Sequence, residues 1–131
     1  MRIEHVALWV RDPDALERLR AFYETYFGAI ANARYASRRR EGFLSYFLTF
    51  PDGGARLELM TAPGVTPLVD GECAGYAHLA LSVGGRDAVN NRAARLEAAG
   101  VALAGGPRET GDGYYEVSVR DLEGNLIEIT A

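Results

Sequence analysis

The chain repeats itself, and this limits its fold more than any other feature. Residues 3–10, IEHVALWV, align with residues 76–83, YAHLALSV. His5/His78, Ala7/Ala80, Leu8/Leu81 and Val10/Val83 are identical. A second pair of segments, ARLELMT at 55–61 and NLIEITA at 125–131, brings Glu58 onto Glu128 within an apolar–Glu–apolar core. Each of these follows a turn, Pro51-Asp52-Gly53-Gly54 in the first case and Glu123-Gly124 in the second. Two copies of one module are therefore expected: the first over about 1–61, a linker rich in Gly, Pro and Asp over about 62–75, and the second over about 76–131.

The segments between the landmarks define the module. Asp12 suits an N-cap and Pro13 the first turn of a helix. Leu16, Leu19, Phe22, Tyr23, Tyr26 and Phe27 recur at helical spacing, and Gly28 stops the run. Val89, Ala93 and Leu96 form a shorter stripe in the second half, ended by Gly100. Phe43–Phe50 and Tyr114–Arg120 read as strands, and residues 31–37 and 101–107 as weaker ones. Each half is then strand–helix–strand–strand–strand, which makes the chain an α+β protein of two βαβββ modules.

Composition excludes several chemistries. Among 131 residues the net charge is −4, so no basic excess draws the chain to nucleic acid. All 14 basic residues are Arg, which removes a Schiff-base or phosphate-loop lysine. The four Ser lie outside any G-x-S-x-G setting, so a serine-hydrolase elbow is absent. Cys73 is the only Cys, so no intrachain disulfide can form; it reads as a small loop residue in a reducing compartment. With no long apolar run and no leader-like opening, a cytoplasmic protein without membrane contact is expected. Arg38, Arg39 and Arg40 read as a solvated turn, with an anion contact as the alternative.

Strand alternation aims the duplicated polar residues. Val6, Leu8 and Val10, like Leu79, Leu81 and Val83, form one face and meet the helices. His5 and His78 then lie on the other face, beside the small Ala7 and Ala80. Leu57 and Leu59, like Ile127 and Ile129, point to the core, so Glu58 and Glu128 point away from it. A carboxylate inside an apolar strand is costly unless a charge receives it. One divalent cation with two nitrogen and two oxygen ligands satisfies His5, Glu58, His78 and Glu128 together, and these are the only two His in the chain. Nickel, zinc, cobalt and manganese all accept such a shell.

The His–Glu–His–Glu arrangement resembles the vicinal oxygen chelate superfamily, carried by IEHVALWV, ARLELM, GYAHLALSV, GDGYYEV and DLEGNLIEIT. The resemblance covers essentially the whole chain and implies paired βαβββ half-barrels. The four ligands look most like those of glyoxalase I (lactoylglutathione lyase). They imply a metal-dependent lyase or isomerase that passes through an enediolate on a small substrate with vicinal oxygens. On that resemblance Glu128 is the base and Glu58 the more static ligand, and the chain is a homodimer. Where bacterial glyoxalase I carries an Arg and an Asn that contact glutathione, this chain has Trp9 and Ala62. Little or no use of glutathione is therefore expected. The alternatives are a non-catalytic, antibiotic-sequestering binding protein and a ring-cleaving dioxygenase of the same superfamily.

Three further residues are candidates for the substrate pocket. Tyr114 and Glu116 share the polar face of their strand with Ser118, and could touch a ligand or be ordinary surface residues after a Gly turn. Trp9 shares the His5 face and either walls the pocket or packs in a dimer interface.

Overall fold

In the computed structural model, which describes residues 1–69, 71–72 and 74–131, the chain divides into two compact units, Met1–Pro67 and Leu68–Ala131. Cys73 lies outside the described residues. The first unit runs β1 (His5–Trp9), α1 (Pro13–Phe27), β2 (Ile30–Ala31), β3 (Tyr35–Ala36), β4 (Leu44–Thr49) and β5 (Arg56–Thr61). The second runs β6 (Leu79–Ser82), α2 (Arg86–Ala98), β7 (Leu103–Glu109), β8 (Tyr115–Arg120) and β9 (Leu126–Thr130). The α+β class and the paired modules are as expected from the repeat.

The sheet orders are β1-β5-β4-β2, with β3 also on β4, and β6-β9-β8-β7. In both, the first and last strands of the module are parallel neighbours, so the intervening helix and strands form the crossover that parallel pairing requires. The register sets Ala7 beside Glu58 and Ala80 beside Glu128. This pairing is the step that joins a His near the start of each module to a Glu near its end.

The opposite face of each sheet is the core. Leu57, Leu59, Leu48 and Val10 are buried with Leu16, Leu19 and Tyr23 of α1. Ile127, Ile129, Val117 and Val119 are buried with Val89, Ala93 and Leu96 of α2. The first helix is capped as its sequence demands: the Ala15 N–H donates to Asp12 Oδ1 at 2.7 Å, Pro13 occupies the first turn, and Gly28 ends it at φ 69°. A polar clamp ties α1 to β4. The Tyr46 hydroxyl donates to Glu17 at 2.8 Å, and Arg34 and Arg20 donate to the same carboxylate at 3.1 and 3.2 Å.

Two strands differ from the sequence reading. The expected strand over 31–37 is split into β2 and β3. Asn32 makes the break: its side-chain Oδ1 accepts the Phe47 N–H at 2.8 Å, replacing a backbone acceptor. The expected strand over 101–107 runs instead to Glu109, with register shifts on both sides of Gly105. Pro107 is tolerated there because β7 is an edge strand.

Candidate metal centre

Each unit contains one His–Glu pair of the same design. His5 Nε2 lies 3.8 Å from Glu58 Oε2, and His78 Nε2 lies 3.2 Å from Glu128 Oε2. The pairs match in exposure as well, with the His side chains at 40% and 39% and the Glu side chains at 14% and 19%. In each pair a mostly buried carboxylate faces a more accessible imidazole. Adjacent ligands on one metal, each bonded at about 2.0–2.2 Å, stand about 3 Å apart. The second pair already meets that spacing, and the first needs under 1 Å of closure. Among the described residues, no group of three or more His, Cys, Asp or Glu side chains is gathered around a point that could hold a metal. Each unit thus presents two candidate donors, one nitrogen and one carboxylate oxygen.

The pairs differ in what surrounds them. Glu4 is hydrogen-bonded to His5 Nδ1 and is paired in turn with Arg56. The Glu4 carboxyl is held below the usual carboxylate range, first by His5 and then by Arg56. Arg56 also stacks on Phe47 at 4.2 Å, and the Phe47 ring meets the His5 ring edge-on at 5.3 Å. A carboxylate on the far nitrogen fixes a ligand imidazole with Nε2 free for metal. In the second unit the residue before His78 is Ala77, which can make no such bond. Across the strands Glu58 faces Phe47, whereas Glu128 faces Ser118. Ser118 in turn faces Gly105, where a Cβ would stand 2.7 Å from the Ser118 Oγ. Glycine there leaves the hydroxyl its room.

The chain matches the family model of the Glyoxalase/Bleomycin resistance protein/Dioxygenase superfamily over residues 2–129. It belongs to that superfamily. An uncharacterized protein of Pseudomonas aeruginosa is 33% identical over 98% of this chain and 86% of its own. The lactoylglutathione lyase of Agrobacterium tumefaciens superposes with a TM-score of 0.67 at 22% identity, covering 98% of this chain and 91% of that one. The fosfomycin resistance protein FosX of Listeria monocytogenes, solved with Mn(II) and sulfate, gives 0.71 at 19% identity over 98% and 90%. At these identities the two structures share the fold, and one of them carries a divalent metal on it.

Glu116, Tyr114 and Trp9, the remaining sequence candidates, stand in three different surroundings. Glu116 lies two residues from Ser118 on the Glu128 side of the sheet, but it is buried and gripped by Arg108 at 2.8 and 3.2 Å. Tyr114 precedes β8; its ring is exposed while its N–H donates to Thr110 Oγ1 at 3.0 Å. Trp9 is on the His5 face of β1, half-exposed, and edges against Phe43. Glu4 carries no sequence signal of its own: strand alternation would turn it away from His5, but β1 begins at His5, so alternation does not govern it. Arg56 was not visible because its parallel register with His5 depends on topology. Arg40 also departs from a purely solvated turn: its guanidinium lies 5.3 Å from the Trp9 ring and 5.6 Å from that of Phe43.

Proposed function

We propose that this chain is a metal-dependent lyase or isomerase, with His5, Glu58, His78 and Glu128 holding one divalent cation and Glu128 acting as the base. The observation that carries it is the duplicated Nε2–Oε2 facing of His and Glu at near-ligand spacing. Nickel, zinc, cobalt or manganese would suit this set of two nitrogen and two oxygen donors. When bound, the ion supplies Lewis acidity toward two adjacent substrate oxygens, favouring negative charge on them.

The protein groups divide the remaining work. Glu128 takes a proton from the substrate carbon beside those oxygens and returns it to the neighbouring carbon. Its setting suits a carboxylate that changes state, because small Ala80 and Ser118 flank it. Glu58, beside the bulky Phe47, is the fixed ligand. The substrate is small and carries vicinal oxygens. Dimerisation belongs to the same proposal, as the resemblance to the superfamily implies.

Elemental analysis and metal titration of the purified chain test this reading. One divalent ion per four-ligand set is expected, lost in His5→Ala and in His78→Ala. Glu128→Gln is expected to abolish turnover while the fold persists. Wild-type protein that takes up none of the four metals overturns the proposal. Sedimentation of a metal-loaded 14.2 kDa monomer would assign both pairs to one chain and remove the dimer from it.

A further inference from the structure

An open pocket of about 330 Å³ in the first unit is lined by Trp9, Arg40, Pro63, Gly64, Val65 and Thr66. Trp9 and Phe43 meet at right angles, ring centres 6.3 Å apart, and the Arg40 guanidinium sits in their corner within cation–π range of both. The turn that carries it is itself tied down, because Ser37 Oγ accepts the Arg39 and Arg40 N–H groups at 3.1 and 3.0 Å. Ring contacts use no N–H donors. Among the described residues no carboxylate and no carbonyl accepts from this guanidinium, whereas Arg20, Arg34, Arg56, Arg86 and Arg108 all hold carboxylates. A cation is thus held in a fixed place, with its hydrogen-bonding capacity open, at the mouth of a pocket with an indole wall.

We propose that this pocket binds an organic anion, its carboxylate on Arg40 and its flat apolar part against Trp9. A guanidinium offers the planar fork that a carboxylate takes in bidentate fashion, and the indole, Pro63 and Val65 supply apolar contact. Trp9 lies on the same strand face as His5, four residues along, a span of about 13 Å. A ligand that reached from the pocket to the His5–Glu58 pair would be an elongated anion with vicinal oxygens at its other end. That extension rests on the metal-centre reading; binding in the pocket does not.

The chain has one tryptophan, so one indole N–H resonance reports on the pocket. Benzoate is the probe, benzyl alcohol its neutral counterpart, and metal-free His5→Ala the background in which the metal plays no part. Benzoate is expected to shift the indole resonance saturably in wild type and in His5→Ala alike. Arg40→Gln is expected to weaken binding at least about tenfold, the loss of a charge-assisted pair of hydrogen bonds. Arg38→Gln, which removes the same charge two residues away, is expected to leave binding unchanged. Equal binding by Arg40→Gln and wild type, equal binding of benzyl alcohol, an equal loss in Arg38→Gln, or no saturable shift in wild type would each overturn the proposal. A failure confined to metal uptake would overturn the metal centre and leave this site standing.

Discussion

Glu4 is the residue at which the two half-sites part company. It is hydrogen-bonded to the His5 ring, whereas Ala77, at the matching position before His78, can make no such bond. Glu4→Gln keeps an acceptor but removes the charge that holds Arg56 and strengthens the bond to the imidazole. Outer partners of this kind are worth about ten- to a hundredfold in metal affinity. A loss within that range is expected in a chelator-competition titration, with the far-ultraviolet circular dichroism unchanged because Glu4 is exposed. An affinity equal to wild type would show that Glu4 does not orient the ligand. The asymmetry also ranks the two histidines. On the proposed metal centre, His5 is positioned before metal arrives, so His78 would have more ordering to lose on binding.

Elements decide how much of this could be read from residues. The ends of α1 were legible because Asp12, Pro13 and Gly28 each act locally, through a side-chain acceptor, a fixed φ and a left-handed φ. The aim of Glu58 and Glu128 was legible because alternation is a property of any strand. What was hidden needed a partner strand: the parallel pairing that brings His5 to Glu58, the Asn32 side chain that splits the second strand, and the Arg108 grip on Glu116. The clamp from α1 to β4 was hidden for the same reason, and it makes a pH prediction. Burial pushes the Glu17 carboxyl up, but hydrogen bonds from Tyr46, Arg20 and Arg34 outweigh it and hold the group below its ordinary 4.5. A lowered folded pKa gives stability that is present above the unfolded value and is lost as pH falls through the folded one. Glu17→Gln is therefore expected to lower Tm near neutrality, and the difference from wild type should shrink as the pH drops below 4.5. A constant difference across that range in thermal unfolding would contradict the clamp. Asp12→Ala, by contrast, should cost about 1 kcal/mol at neutral pH, the usual worth of an N-cap, measured by urea unfolding.

For the whole molecule, membership in the superfamily leaves the substrate open, and Trp9 and Ala62 bear on it. Ala62 is buried and offers no polar group, so the Asn contact to glutathione that the resemblance implies has no counterpart there. Trp9 cannot bind a carboxylate itself, although Arg40 above it can. One contact is then missing, and on the proposed pocket Arg40 would stand in for the other. Losing one charge-assisted or buried polar contact costs about 1.5–3 kcal/mol, or about ten- to a hundredfold in binding. We expect the methylglyoxal–glutathione hemithioacetal to be turned over poorly, in kcat/KM, by protein reconstituted with each metal in turn. A smaller anionic substrate with vicinal oxygens should do better, and Glu128→Gln should abolish both. The discriminating measurement is steady-state turnover of the hemithioacetal beside a panel of hydroxycarbonyl acids. Efficient hemithioacetal turnover that Glu128→Gln abolishes would make the chain a lactoylglutathione lyase and show that Trp9 and Ala62 do not exclude glutathione. Inactivity across the panel, joined to tight binding of a bulky aromatic anion that Arg40→Gln weakens, would instead make it a binding protein that keeps the superfamily fold without its chemistry.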